Sequence, residues 1–132
     1  MKIKNVREME YFTAADGCKI TETFGVPSEG IHDGSVAFAI LPPGHKTEPH
    51  NNNFSEWYII TKGKGILYIN EEKMAEVKPG DNIRMPADGW HSIENTGSED
   101  VELYCFCVPA FTLEKTTMKD GSKPEESIER NF

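Results

Sequence analysis

The chain lacks several features that would assign it to a membrane or to the cell exterior. It has no apolar run near the roughly 20 residues that a spanning helix needs, and Met1 to Arg7 lead into polar sequence without the apolar centre of a secretory signal. Cysteine is scarce, with three among 132 residues, an odd number that suits a reducing compartment. Basic residues number 14 against 22 acidic ones, and the resulting formal charge of −8 disfavours binding to nucleic acid or to an anionic membrane. These absences predict a cytoplasmic protein without a nucleic-acid or membrane partner.

The residues that are present predict one all-β domain. A chain of this length buries very roughly two thirds of its unfolded surface, which is enough for one core without disulfides. From Ser35 onward, short runs of β-branched and aromatic residues recur, and each run ends at a turn rich in Gly, Pro, Asn or acidic residues. Such spacing, without a helical period, indicates antiparallel strands in a sandwich or barrel. The predicted strands are 18–24, 36–41, 57–61, 66–69, 74–77, 83–85, 91–94 and 101–108.

The composition changes along the chain and suggests three parts of one domain. Residues 1–34 are expected to be a strand and loop segment of the domain, and residues 35–111 form the strand-rich barrel. Residues 112–132 alternate charges of both signs and carry few large apolar side chains, so we expect a polar C-terminal tail.

Two histidines, an amide and a carboxylate are the candidate functional residues of this sequence. His50 and Asn52 are two apart and so point the same way along an extended chain, while Glu56, Tyr58 and Ile60 share one face of the next predicted strand. A carboxylate on an apolar inner face is costly unless it is paired or bound to a metal. If His91 from a later strand joins them, two imidazoles and a carboxylate make a set that suits a divalent metal with open positions.

Other interpretations of the same residues remain. Glu56 can be a buried acid paired with Arg84 or Lys62, and His91, which follows a turn, can be a structural histidine. Cys105 and Cys107 fall two apart in an apolar run, where they can either approach a metal or serve as small buried hydrophobic side chains.

The spacing of these residues resembles the two motifs of the cupin family. Gly44, His50, Asn52, Glu56 and Gly63 match G-x5-H-x-H-x3-4-E-x6-G, with Asn52 at the second His. The second motif, G-x5-P-x-G-x2-H-x3-N, is matched by Gly80, Pro86, His91 and Asn95, with Gly89 one place late. The chain therefore resembles a small single-domain cupin over roughly residues 36–111.

The resemblance implies an antiparallel double-stranded β-helix, also called a jelly roll, with one divalent metal ion at its mouth. The metal would be Fe, Zn, Ni or Mn, and the ligands implied by the motifs are His50, Glu56 and His91. Asn52 is a further candidate ligand, although an amide oxygen is a poor substitute for imidazole on Zn or Fe. Glu48, two residues before His50, is a candidate replacement. Small cupins commonly pair through one sheet, so we also expect a homodimer.

The resemblance leaves the reaction open. The leading hypothesis is a metal-dependent enzyme of dioxygenase, lyase, decarboxylase or isomerase type that acts on a small polar metabolite, with Tyr58 and Glu48 as catalytic candidates. Tyr58, Trp90 and Cys107 are the expected substrate-pocket residues. One alternative is a non-catalytic module that binds or senses a small molecule or sugar. Another is a metal-free carbohydrate-binding or epimerase-like cupin in which His50 and His91 contact the ligand directly.

Overall fold

The computed structural model describes residues 1–14, 16–86 and 89–119. Part of the predicted turn at 86–89 and residues 120–132 of the predicted tail lie outside the described residues. The strands are β1 (Phe12–Thr13), β2 (Lys19–Phe24), β3 (Ser35–Leu41), β4 (His50–Asn52), β5 (Ser55–Lys62), β6 (Gly65–Ile69), β7 (Glu72–Val77), β8 (Asn82–Arg84), β9 (His91–Asn95), β10 (Val101–Val108) and β11 (Thr116–Met118). A single-turn helix, α1 (Val26–Glu29), and two 3-10 turns, Val6–Glu8 and Leu113–Lys115, complete the described elements.

The strands form two antiparallel sheets. The first sheet has the order β1-β2-β3-β10-β5-β8, and the second has the order β11-β4-β9-β6-β7. Strands that are distant in sequence are neighbours in each sheet, as in a jelly roll, so the predicted all-β antiparallel fold is confirmed. Among the described residues, no helix is long and apolar enough to cross a membrane.

The register of the first sheet sorts its inner face into cross-strand rows. The lowest row, Ile60, Leu103, Ala39 and Ile20 on β5, β10, β3 and β2, is apolar and belongs to the core. Residues that are paired in register on neighbouring strands point to the same face of the sheet, so the side chains of one row contact one another. The next row is Tyr58, Cys105, Ala37 and Glu22, and the one above it is Glu56, Cys107 and Ser35. Polar and small side chains therefore lie at one end of the barrel, above the core.

The C-terminal segment departs from the predicted tail. Residues 116–118 form β11, which pairs with β4 through Thr116 and Asn52, Thr117 and Asn51, and Met118 and His50. Thr116 is buried and Met118 is half-buried, so this strand is part of the barrel wall. Three residues are too short for a strand pattern to stand out from a charged segment, and only the pairing with β4 makes the assignment.

Candidate metal centre

Three side chains meet at the polar end of the barrel. His50 on β4 and His91 on β9 are directly paired in the second sheet, and Glu56 reaches them from β5 in the first sheet. One nitrogen of each imidazole and one oxygen of the carboxylate lie within 4.8 Å of one another, and all three residues are buried. The structure thus brings together the three residues that the sequence motifs singled out, two from one sheet and one from the other.

Each imidazole has a nitrogen suited to a metal ion. His50 Nδ1 lies 2.9 Å from the backbone carbonyl oxygen of Glu48, and a hydrogen bond there leaves the Nε2 lone pair free. His91 is 2% exposed; its ring nitrogens make no well-aligned hydrogen bond among the described residues, although its Nε2 lies 3.2 Å from Glu56 Oε1. Burial lowers the pKa of His91 below its usual value, more than the neighbouring Glu56 carboxylate raises it, so the ring is neutral at pH 7 and can offer a lone pair.

The carboxylate of Glu56 lies close to three polar side chains. Its Oε1 lies 3.2 Å from His91 Nε2 and accepts a hydrogen bond of 3.0 Å from Asn52 Nδ2, and its Oε2 lies 3.6 Å from Cys107 Sγ. Burial alone would raise the pKa of Glu56, but His91, His50 and Asn52 together hold it below its ordinary value. The group is therefore an anion. The alternative pairing with Arg84 is not what the structure shows, since that guanidinium lies over the outward-facing Trp57 ring.

Asn52 orients the carboxylate in this structure. Its side-chain nitrogen donates to Glu56, while its oxygen accepts a hydrogen bond of 2.6 Å from the hydroxyl of Thr116 on β11. Both residues are buried, at 7% and 5% exposed. With its oxygen turned toward Thr116, Asn52 presents an N–H to the carboxylate and no acceptor to a metal. In this geometry the Asn52 side chain contacts Glu56 and Thr116, and its role as a metal ligand stays a prediction.

The arrangement fits a divalent metal ion. Two imidazoles and one carboxylate are ligands that suit Fe, Zn, Ni or Mn and leave coordination positions open. Within the described part of the chain, His91 Nδ1 has no hydrogen-bond partner and His91 Nε2 has only the Glu56 carboxylate at 3.2 Å, so a bound cation could take one of these nitrogens as a ligand. The ring centroids of His50 and His91 are 4.3 Å apart, so both rings are close enough to coordinate the same ion.

A cavity opens beside the three residues. Its volume is about 80 Å3, which is room for roughly half a dozen water molecules or one small ligand. The described residues that line it are Ala14, Asp16, Ile20, Glu22, Ser35, Ala37, His50, Asn52, Glu56, Tyr58, Cys105, Cys107, Phe111, Leu113, Thr116 and Met118.

Two of the predicted pocket residues line this cavity and two candidates do not. Tyr58 and Cys107 are in the lining, and their roles toward a substrate stay predictions. Trp90 is absent from it, and its backbone N–H donates to the Asn70 side chain at the turn between β6 and β7. Glu48 has an exposed side chain, and its contribution is the carbonyl that faces His50. Trp90 and Glu48 thus lie outside the described lining of this cavity, and their predicted roles stay predictions.

The phenol of Tyr58 and the thiols of Cys105 and Cys107 in the cavity keep their protons at neutral pH. Burial, reinforced by the charge of Glu56, raises the pKa of Tyr58 and of Cys105 well above their usual values. The same causes raise the pKa of Cys107. Tyr58 is thus a hydrogen-bond donor, and the thiols are neither nucleophiles nor thiolate ligands in this state.

Sequence reasoning missed several lining residues. Glu22 and Ser35 come from β2 and β3, and Thr116 comes from the segment assigned to the tail. Glu22 lies two residues after Ile20 within a predicted strand, so alternation could have placed both on the inner face. For Thr116, no pattern in the chain indicates proximity to Asn52.

Comparison with known proteins agrees with the fold and the motifs. A family model described as the Cupin domain matches residues 37–107, more than half of the chain. The chain belongs to the cupin family, and the resemblance noted in the sequence is confirmed.

Individual relatives are similar over part of their length. An uncharacterized protein of Methanocaldococcus jannaschii is 40% identical over 83 residues, covering 62% of this chain and 66% of that protein. An oxalate-binding protein of Thermotoga maritima is 35% identical over 79 residues, covering 57% and 64%. The chain thus spans under two thirds of these relatives. A crystal structure of a predicted oxalate decarboxylase from Thermotoga maritima superposes with a TM-score of 0.68 at 23% identity, covering 82% of this chain and 99% of that one, which supports the fold.

Proposed function

We propose that this cupin is an enzyme that acts on a small polar metabolite and depends on one divalent metal ion bound by His50, Glu56 and His91. The observation that carries the proposal is the convergence of the three ligand atoms within 4.8 Å at the end of a cavity of about 80 Å3. A metal ion there supplies a Lewis acid that polarises a carbonyl or carboxylate group of the bound molecule.

The chain's own residues orient the site and supply its protons. Asn52 and Thr116 hold Glu56 in one rotamer through the two hydrogen bonds that join β4, β5 and β11. Tyr58 retains its proton and shares the inner face with Glu56, so it can donate a hydrogen bond to an oxygen atom of a bound molecule. The apolar row below, with Ile60 and Leu103, keeps water away from the floor of the site.

Metal content tests the proposal directly. Protein purified without a chelator or a histidine tag is analysed by plasma mass spectrometry beside His91→Ala and Glu56→Gln. We expect near-stoichiometric metal in the native chain and loss of it in both variants, with circular dichroism unchanged. His45→Ala is the matched control, because His45 is exposed. Retained metal in both site variants, or no loadable metal in the native chain, would contradict the proposal.

A non-catalytic binding or sensing role is the second candidate. It is favoured by Asn52, which stands where the family motif has a second imidazole, and by the relative named as an oxalate-binding protein. Asn52→His separates the two candidates. If the substitution raises metal affinity and no metal-loaded form converts any small acid or carbonyl compound, the binding role is the better account.

The proposal includes a second copy of the chain as partner. Phe106 and Val108 on β10 face outward from the first sheet and are 42% and 43% exposed, beside the half-buried ring of Trp57. Apolar side chains of this size on one sheet face are typical of an interface. Pairing of two copies through this face is therefore expected.

A cytoplasmic setting also belongs to the proposal. Cys18, Cys105 and Cys107 are free thiols in the structure, which fits a reducing compartment. The net charge of −8 supports a small-molecule ligand in preference to nucleic acid or an anionic membrane.

A further inference from the structure

One inner-face row of the first sheet leads to the candidate metal centre through a thiol. Ser35 on β3 pairs with Cys107 on β10, and Cys107 pairs in turn with Glu56 on β5. All three residues line the cavity, and they are only 3%, 3% and 6% exposed. Residues paired in this way on one face of a sheet bring their side chains into contact. The thiol therefore lies between a hydroxyl and the carboxylate of a candidate metal ligand.

Hydrogen bonds follow this row from a backbone amide to the carboxylate. The backbone N–H of Phe111 donates to Ser35 Oγ at 2.9 Å, and the Ser35 side chain is itself hydrogen-bonded to that of Cys107. Cys107 Sγ lies 3.6 Å from Glu56 Oε2, a hydrogen-bonding distance for a sulfur donor. An ionised carboxylate only accepts hydrogen bonds, so the thiol supplies the hydrogen of this contact, and the charge of the acceptor strengthens it.

The two oxygens of Glu56 receive their donors from different strands. Asn52 Nδ2 on β4 donates to Oε1 at 3.0 Å, whereas the Cys107 thiol on β10 faces Oε2. The last torsion of a glutamate side chain has a broad range, so a carboxylate with one donor can still turn about that bond. Donors on both oxygens fix the plane of the group. They thereby fix the direction of the lone pairs that it offers to a metal ion.

We propose that Cys107 is a positioning residue for Glu56: its thiol donates to Oε2 and, together with Asn52 on Oε1, sets the orientation in which the carboxylate meets the metal ion. The inference rests on the proposed function for the metal, whereas the contact itself is formed without one. Cys107 belongs to neither of the two motifs, and only the register of β10 with β5 brings it to Glu56.

Infrared spectroscopy of metal-free protein tests the contact. The difference spectrum between the native chain and Cys107→Ala isolates the S–H stretching band of Cys107. Cys105→Ala isolates the band of Cys105, whose row neighbours, Ala37 and Tyr58, carry no carboxylate. We expect the Cys107 band at the lower frequency, because donation to an anion weakens the S–H bond. Glu56→Gln makes the acceptor neutral and should move the Cys107 band toward that of Cys105. Coincident bands in the native chain, or a Cys107 band that Glu56→Gln leaves unmoved, would overturn the proposal.

Competition with a chromophoric chelator for Ni2+ measures the consequence for metal binding. Cys107→Ala should weaken Ni2+ binding about tenfold, as is common when a group that orients a ligand is lost. Cys107→Ser keeps a donor on the same carbon atom and should stay within about threefold of the native affinity. Cys18→Ala is the matched control, because it makes the same change at an equally buried thiol in the apolar core, outside the described lining of the cavity.

The metal-binding results also have outcomes that contradict the proposal. Urea unfolding of the metal-free variants establishes that each is folded and how much stability each has lost. The positioning role is overturned if Cys107→Ala binds Ni2+ as tightly as the native chain, if Cys18→Ala weakens binding equally, or if Cys107→Ser binds no better than Cys107→Ala.

Failure of this inference can be told apart from failure of the proposed function. The infrared comparison needs no metal, so a lowered Cys107 band in a chain that cannot be loaded with Ni2+ would contradict the metal centre and uphold the hydrogen bond. Stoichiometric metal together with coincident S–H bands would uphold the metal centre and overturn the role of Cys107.

Discussion

The hydrogen-bonded chain from Thr116 through Asn52 to Glu56 makes a testable link between the C-terminal strand and the metal centre. Thr116→Val replaces a buried hydroxyl by a methyl group of similar shape and removes the 2.6 Å hydrogen bond to Asn52 Oδ1. Without that donor, the amide loses the contact that directs its N–H to Glu56, and rotation would place an oxygen against the carboxylate. We expect a less ordered Glu56.

The size of the effect follows from the burial of the partners. Loss of one neutral hydrogen bond costs about 1 kcal/mol, and an acceptor left buried without a partner costs about 1–3 kcal/mol. Because Thr116 and Asn52 are 5% and 7% exposed, we expect the free energy of unfolding of the metal-free protein to fall by about 1–2 kcal/mol. Metal affinity should fall about tenfold, as is common when a group that orients a ligand is removed.

Two measurements separate stability from positioning. Urea unfolding of metal-free protein gives the free energy, and competition with a chromophoric chelator gives the metal affinity. Thr117→Val is the matched control, because Thr117 is the next residue of β11 and pairs with Asn51, away from Glu56. The reasoning is refuted if Thr116→Val binds metal as tightly as the native protein, or if Thr117→Val weakens binding equally.

Three further predictions concern the barrel. Phe106→Lys should convert the expected dimer to monomer in sedimentation at micromolar concentration; a native monomer would contradict the interface. Arg7 holds the pKa of Glu102 below its ordinary value, so Arg7→Met should lower the free energy of unfolding in urea at pH 7, and this difference should shrink in acid as the pH falls through the lowered pKa of Glu102. A cost independent of pH would exclude the pairing. Leu103→Ala, in the core, should lower the free energy of unfolding by about 3 kcal/mol. A decrease of less than about 1 kcal/mol would contradict tight packing around this side chain.

Much of the fold could be predicted because strand patterns are local. Runs such as 36–41 and 101–108 carry β-branched and aromatic residues between turns, and they became β3 and β10. Alternation within the strands also placed Glu56, Tyr58 and Ile60 on the inner face, as the structure has them. The metal-ligand candidates were found because their spacing matches two motifs, and such spacing can be read without knowing which strands pair.

The sequence by itself determined an all-β antiparallel fold and the three residues that meet at the candidate metal centre. Tertiary structure decided what surrounds them: it turned Asn52 toward Glu56, exposed the side chain of Glu48, and joined Thr116 to the site through β11. It also placed Glu22 of β2 in the lining of the cavity, with β3 and β10 between it and Glu56 of β5. The physical reason is that periodicity records which face a side chain occupies, whereas contacts between distant segments depend on strand order and register, which no local pattern in a single chain records.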